Sequence, residues 1–179
     1  MKEVDQIVVD SVISWFEDSV LGLNLCPFAA KPYRQGSIHF ELSDASDDES
    51  CLIDLLLMLN KLVQQADIET LVLIIPQHFT SFTDYNDFLN LADELLEQQD
   101  WLGIFQIASF HPDYIFADSD INDQANWTNR SPYPLLHLIR ESSIDKAIES
   151  HPAIDEIPER NINLLRSMND KELKEIFSN

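Results

Sequence analysis

The chain has 179 residues, 45% of them hydrophobic, with 32 acidic and 11 basic side chains and a formal net charge of -21. This size and apolar content suffice for one substantial core, so we expect a single domain over residues 1–179. The acidic surface would repel phosphate backbones and anionic lipids, which argues against nucleic acid and membrane as partners. The sequence has no run of about 18 apolar residues, and its charged N-terminus does not resemble a secretory signal. We therefore expect a cytoplasmic protein.

The first two thirds of the chain alternate between helical and strand patterns. Apolar residues at helical spacing predict an amphipathic helix over residues 3–19, ending before Gly22. The following elements are predicted as a strand at 37–42, a polar acidic loop and helix start at 43–50, a helix at 51–63, a strand at 70–75, a helix at 84–98 and a strand at 103–110. This β-α-β-α-β order is typical of strands joined by right-handed crossovers. We predict an α/β (or α+β) fold whose core is a mainly parallel sheet of three to four strands covered by helices, with helical N- and C-terminal segments.

The pattern changes after residue 110. Residues 113–130 are rich in Asp and Asn and have no clear periodicity, as is common in functional or mobile loops. Ser131 is a good N-cap and Pro is tolerated in a first turn, so we predict a helix over residues 132–141, with a short strand over 135–140 as the alternative. The remaining predictions are a helix capped at Ser142 or Ser143 that continues through His151, and a helical tail over residues 160–177.

A site for a small anion is predicted around Arg130, the first cationic residue after Lys61. The ligand crevice of an open parallel sheet lies beyond the carboxyl ends of its strands, where His78 and His111 are expected. An arginine beside the free N–H groups of a helix start favours a carboxylate or a phosphate. We predict a small anionic metabolite as the partner, with these binding residues: Arg130, Arg140, Asn129, Ser131, His78 and Tyr133.

The same region offers histidine chemistry. A helix over residues 132–141 would place Tyr133, His137 and Arg140 on one face. His111 or His137 would then act as general acid or base, with Asp113 orienting a histidine. We expect His111, Arg130 and His137 to line one cleft. The alternative is that the arginines are structural partners of the surplus carboxylates and that His137, between leucines, is a hydrogen-bonded core residue.

Cys26 is a candidate nucleophile, because a cysteine before Pro27 would sit at a helix start, where the dipole lowers the thiol pKa. A nearby His111 or His137 would complete such a site. The alternative is a buried, inert thiol. A third hypothesis is a metal held by some of His111, Asp113, His137 and Cys26, a donor set that suits zinc, although no spacing matches a known metal motif.

The sequence has no motif for a nucleotide cofactor. The three glycines, Gly22, Gly36 and Gly103, cannot form either glycine-rich nucleotide fingerprint, which argues against dinucleotides and P-loop nucleotides. The sequence identifies no cofactor, no particular metal and no oligomeric state.

Three blocks of sequence together carry a family resemblance: LNLCPFA at 23–29, QIASFHPDY at 106–114, and TNRSPYPLLHLIRES at 128–142. In this order they resemble a bacterial family catalogued only as domain of unknown function 1415. The resemblance implies no reaction and no cofactor. Its motif positions coincide with the residues selected above on chemical grounds: Cys26, Pro27, His111, Asp113, Asn129, Arg130, Ser131, Pro132, His137 and Arg140.

Two classes of function therefore stay open. An enzyme should show a histidine or a thiol with a perturbed pKa in a cleft. A non-catalytic domain would use the same pocket to bind a ligand, or would expose aromatic residues such as Tyr114, Phe116 and Trp127 to a protein partner.

Overall fold

The computed structural model describes residues 3–150 and 154–177, and a four-stranded sheet lies at the centre of the fold. The strands are β1 (Ile38–Leu42), β2 (Thr70–Ile74), β3 (Phe105–Phe110) and β4 (Leu135–Arg140), in the spatial order β1-β2-β4-β3. β1 and β2 are parallel, whereas β4 is antiparallel to both of its neighbours, β2 and β3. The mixed α/β class is thus confirmed, and the prediction of a mainly parallel sheet is wrong.

The difference arises from β4, for which the predicted helix over residues 132–141 is wrong and the alternative strand is correct. Pro132 and Pro134 each push the residue before them toward extended backbone, which opposes a helix start. The Pro134 carbonyl accepts a hydrogen bond from the backbone N–H of Ile75 (3.0 Å), so strand pairing continues beyond β2. Because both faces of β4 carry large apolar side chains, this strand fits the interior of the sheet.

Helices cover both faces of the sheet. The α-helices are α1 (Glu3–Trp15), α2 (Ala30–Gln35), α3 (Asp48–Gln64), α4 (Phe82–Gln98), α5 (Glu141–Ser150), α6 (Ile157–Ser167) and α7 (Asp170–Phe177). A π-helix (Phe16–Leu21) continues α1, and short 3₁₀-helices occur at Gln124–Asn129 and Ile154–Glu156. Among the described residues, no helix has the length and apolar content needed to cross a membrane.

Side-chain alternation along β2 divides the core into two layers. Leu71 and Leu73 pack with α3 and α4 on one face. Val72 and Ile74 pack with α1, the π-helix, α6 and α7 on the other. Every residue of β2 is buried, so the prediction of a strand covered on both faces is confirmed.

The helix boundaries follow from their caps. Asp47 accepts a hydrogen bond from the Ser50 N–H (2.8 Å) and starts α3 within the acidic segment that was predicted as a loop and helix start. The predicted helical tail consists of α6 and α7, with α7 capped by the Asn169 side chain. The predicted helix through His151 corresponds to α5, and His151 itself lies outside the described residues.

Candidate functional site

The ends of β2 and β3 emerge at the same edge of the sheet, as predicted, because β4 runs antiparallel to both strands. His111 lies directly after β3 and is 1% exposed. Its Nδ1 accepts from the Asp113 N–H (3.0 Å), so its Nε2 carries the proton and donates to the Phe79 carbonyl (2.8 Å). Burial lowers the pKa of His111, which favours this neutral ring. Both nitrogens thus join the two strand-end loops, and neither is free for acid–base chemistry.

His78 and Asp113 also contribute to the packing of these loops. The His78 Nε2 lies 2.8 Å from the Asp48 carboxylate at the start of α3, and its ring packs on Phe79. Asp113 is exposed and contacts His111 through its backbone N–H rather than its carboxylate. Within residues 3–150 and 154–177, no group of three or more His, Cys, Asp or Glu side chains is arranged to hold a metal ion.

Arg140 and His137 lie on β4 three residues apart and therefore point to opposite faces of the sheet. The Arg140 guanidinium donates to the carbonyls of Leu62, Gln65 (3.1 Å) and Ile68 (3.1 Å) around the end of α3. A cation at a helix C-terminus is stabilising, so Arg140 has a structural position. The predicted shared helix face of Tyr133, His137 and Arg140 does not exist.

His137 also lies on the opposite face from His111. His137 pairs with Ala108 and Leu135 pairs with Phe110, and in an antiparallel pair such partners share a face. His111 follows Phe110 and packs between the rings of Phe82 and Tyr85 on the α4 side. The prediction that His111, Arg130 and His137 line one cleft is therefore wrong.

Asn129 and Ser131 hold the loop around Arg130. The Asn129 Nδ2 donates to the Ser109 carbonyl (3.0 Å), and its own carbonyl accepts from the His111 N–H (3.1 Å). Ser131 is buried and its Oγ donates to the Tyr133 carbonyl (2.6 Å). Since β4 follows rather than a helix, Ser131 is no N-cap, and the free N–H groups of a helix start are missing from the site.

Arg130 itself faces a cavity of about 380 Å³, which we call the Arg130 pocket. It is lined by Ser11, Pro112, Trp127, Arg130, Ser131, Pro132, Tyr133 and Phe177. The guanidinium carbon lies 4.9 Å from the centre of the Trp127 ring, while Nε and Nη2 donate to the carbonyls of Tyr114 (3.4 Å) and Ile121 (3.2 Å). No described carboxylate lies within ion-pair distance of Arg130. Burial lowers its pKa, and nearby Asp113 opposes this shift.

Cys26 and His137 line two other cavities, on the α1 side of the sheet. The Trp15 cavity (about 160 Å³) is bounded by Trp15, Phe16, Val20, Cys26, Ala29, Val72, Ala108, Phe110, Leu135, His137 and Ile139. The α5 cavity (about 110 Å³) is bounded by Cys26, Phe28, Ala29, Pro32, Ile38, Glu69, Thr70, His137, Ile139, Ser143, Ile144 and Ala147. The four residues common to both form their shared boundary.

The His137 ring and the Cys26 thiol at this boundary are both uncharged at pH 7. Burial lowers the pKa of His137 to about 4, and its Nε2 lies 3.0 Å from the Thr70 hydroxyl. Burial also raises the pKa of the Cys26 thiol, outweighing the backbone N–H groups of Phe28 and Ala29 that favour the thiolate. The prediction that a helix start lowers the pKa of Cys26 is therefore wrong, since the pKa is raised and α2 begins only at Ala30.

The π-helix forms one wall of the Trp15 cavity through Phe16 and Val20. Its widened turn continues into Gly22, whose N–H donates to the carbonyl of Glu17 five residues earlier (2.9 Å). A Cβ at Gly22 would lie 2.3 Å from the backbone oxygen of Asp18, so only glycine fits there. The sequence pattern of α1 did not reveal this turn, although Gly22 marked its end.

The aromatic residues expected on a protein-binding surface are half-buried, with the Tyr114 and Phe116 rings in edge-to-face contact at 5.0 Å. Trp127 belongs to the Arg130 pocket instead. Trp15 was not selected from the sequence, because an apolar residue on a helix stripe gives no signal of a cavity.

These features define an α/β protein with a mixed sheet, with one cavity beside Arg130 and others beside Cys26 and His137. The chain belongs to the family described as "Protein of unknown function (DUF1415)", whose model matches residues 7–175. The resemblance carried by the three sequence blocks is thus confirmed. Neither the curated proteins nor the solved structures contain a significant match to the chain.

Proposed function

We propose that this protein binds a small monocarboxylate with an apolar or aromatic body in the Arg130 pocket. The observation that carries the proposal is a half-buried arginine that faces a cavity and has no ion-pair partner among the described residues, in a chain with 32 acidic residues. Desolvation disfavours the charged guanidinium, and a bound anion would compensate for that cost.

The donor geometry supports a carboxylate. A guanidinium has five N–H donors, and Arg130 uses only Nε and Nη2 in hydrogen bonds to described residues. Its remaining donors suit two carboxylate oxygens. The Trp127 ring, whose centre lies 4.9 Å from the guanidinium carbon, supplies an apolar wall together with Pro132 and Phe177.

The overall charge favours a monoanion over a phosphate dianion. With a net charge of -21, long-range repulsion grows with each negative charge on the ligand. Neither His111 nor His137 is among the described residues that line the pocket, so the acid–base role predicted for them has no support at this site. Binding without turnover is therefore the function we propose.

The test is a titration of 15N-labelled protein with benzoate and, separately, with benzyl alcohol, which is uncharged and similar in shape. The three tryptophans, Trp15, Trp101 and Trp127, give separate indole N–H signals that single Trp→Phe variants assign. We expect benzoate to shift the Trp127 signal saturably and benzyl alcohol to leave it unchanged. An equal response of Trp127 to both compounds would show that charge does not determine binding and would overturn the proposal.

Arg130→Gln should weaken benzoate binding at least about tenfold, because a hydrogen bond to a charged group contributes about 1.5–3 kcal/mol. The matched control is Arg34→Gln, which makes the same change of charge at an exposed residue outside the pocket. Thermal unfolding of both variants checks that they are folded. Equal benzoate affinity in the two folded variants would contradict the proposal.

A further inference from the structure

We propose that the Trp15 cavity is a second ligand site, which binds a neutral molecule made of one ring and a short polar substituent. The ring would occupy the cavity, and the substituent would lie at the boundary formed by Cys26 and His137. This inference is independent of the carboxylate site, which lies among other residues.

The size and lining of the cavity indicate that the ligand carries one ring. An apolar cavity of about 150 Å³ in a protein core accommodates benzene, and the Trp15 cavity has about 160 Å³. Its walls come from the end of α1, the π-helix, the segment before α2 and three strands, and most of the contributing side chains are aliphatic or aromatic. The adjoining α5 cavity provides room for a substituent that extends past Ala29 and Ile139.

Unsatisfied polar groups determine the substituent. Trp15 forms part of the cavity wall and is 2% exposed, yet its indole Nε1–H has no hydrogen-bond partner among the described residues. Buried donors of this kind are rare in proteins, because leaving one unpaired is costly. His137 uses Nε2 with Thr70, and its Nδ1 makes no hydrogen bond to a described residue. A hydroxyl or a carbonyl on the ligand is the kind of group that can pair with them.

The described residues that line the two cavities give an ion no partner. None of them is Lys or Arg, and the carboxylate of Glu69, which lines the α5 cavity, would repel an anion. Lys31 and Lys146 line a neighbouring cavity that shares Glu69, and neither of them lines the Trp15 cavity. His137 is neutral at pH 7, since its pKa lies near 4. The ligand is therefore uncharged, unlike the ligand of the Arg130 pocket.

The indole signals separate the two sites in one titration. We expect benzyl alcohol to shift the Trp15 signal saturably and to leave Trp127 unchanged, with Trp101 as the internal control because it packs against Phe105 in the other core layer. Benzoate should leave Trp15 unchanged. No response of Trp15 up to the solubility limit of benzyl alcohol would overturn this inference and would leave the carboxylate proposal unaffected.

Alkylation provides a second readout in the unmodified protein. Cys26 is half-buried at the cavity boundary, whereas Cys51 is fully buried on α3 and serves as the internal reference. Benzyl alcohol should slow the reaction of iodoacetamide with Cys26 severalfold in a saturable manner, as followed by mass spectrometry. An unchanged rate at Cys26 would contradict the inference.

A variant that fills the cavity completes the test. Ala108 of β3 pairs with His137 of β4 and lines the Trp15 cavity. The variant Ala108→Ile would place extra methyl groups in this cavity. We expect the folded variant to lose the Trp15 response while Trp127 still responds to benzoate. A Trp15 response to benzyl alcohol that persists in this variant would show that the binding site is elsewhere.

Discussion

The two histidines of the family motifs differ in what their ring nitrogens contact. His111 satisfies both nitrogens with backbone groups and is enclosed by aromatic rings. His137 satisfies one nitrogen with Thr70 and borders two cavities. The first arrangement stabilises two loops, whereas the second leaves the His137 Nδ1 without a hydrogen bond to a described residue.

We predict that His111→Ala destabilises the protein by about 2–4 kcal/mol. The change removes a buried ring and leaves the Phe79 carbonyl and the Asp113 N–H without these partners. Phe79 adopts a positive φ of 61°, which is unfavourable for a bulky residue, so its loop needs this anchor. Urea unfolding at pH 7 measures the difference in the free energy of unfolding.

The matched control for this prediction is His78→Ala, in the same strand-end loop. His78 pairs with the exposed carboxylate of Asp48, and such a pair contributes about 0–1 kcal/mol. If both variants lost the same small amount of stability, His111 would not be the anchor of the two loops.

His137 should make stability depend on pH. Its pKa is about 4 in the folded protein, against an ordinary value of 6.5, so its contribution is fully present above pH 6.5 and is lost as the pH falls toward 4. In that window the unfolded chain binds a proton that the folded protein does not. The free energy of unfolding therefore falls by at most about 2 kcal/mol between pH 7 and pH 5. The lowered pKa of His111 acts in the same direction.

Urea unfolding of His137→Gln at several pH values between 5 and 7 tests this assignment. The variant should show a smaller loss of stability than the wild type as the pH falls. His39→Gln is the control, because His39 lies on β1 outside both cavities and pairs with Glu41. A wild-type pH dependence in His137→Gln would show that other groups cause it.

At the scale of elements, the π-helix is the feature that creates space beside the sheet. A turn with i→i+5 hydrogen bonds is wider than an α-helical turn, and such turns frequently mark functional sites. Here it brings Phe16 and Val20 to the wall of the Trp15 cavity. Ser19 donates to the Trp15 carbonyl (2.6 Å) and supports the same turn.

Gly22→Ala should destabilise the protein by about 2–4 kcal/mol, because the new methyl group would overlap the Asp18 carbonyl and force the π-helix to shift. Gly36→Ala is the control. At Gly36 φ is +66° but no atom lies within 4 Å of the added Cβ, so only backbone strain of about 1 kcal/mol is expected. Thermal or urea unfolding compares the two variants. Equal effects would mean that the close contact at Gly22 relaxes without cost.

Strand β4 shows why local sequence was insufficient at the element scale. Leu135–Arg140 has enough apolar residues for a helix or for a central strand, and a short run of this kind has no decisive periodicity. The prolines at 132 and 134 are compatible with the first turn of a helix, but their effect on the preceding residues favours extended backbone. The predicted anion site lost its helix start for this reason.

At the scale of the whole molecule, the sheet keeps His111, His137 and Arg130 apart from one another. Three strands run in one direction, so the strand-end loops meet at one edge, as predicted. The two histidines nevertheless lie on opposite faces, and Arg130 faces a third location. A single site that combines His111, His137 and Arg130 is therefore incompatible with this topology, whereas the two binding sites proposed above are compatible with it.

The cations illustrate a second effect of the overall fold. In a chain with so many carboxylates, ion pairing was the expected alternative for both arginines. Instead Arg140 binds carbonyls around the end of α3, and Arg130 binds carbonyls of its own loop. Arg130, unlike Arg140, lines one of the cavities described above and has unused donors, and this distinction depends on tertiary contacts.

The sequence by itself determined the mixed α/β class, the buried strand β2, the major helices and the family, because apolar periodicity and motif blocks are local properties of the chain. The place of β4 between β2 and β3 was decided only by the tertiary structure, since strand pairing joins segments far apart in sequence. The same holds for the cavities: Trp15, Cys26 and His137 meet only when α1, the following turn and β4 pack together. Burial then sets the pKa of His137, and burial is a property of the folded molecule rather than of any sequence motif.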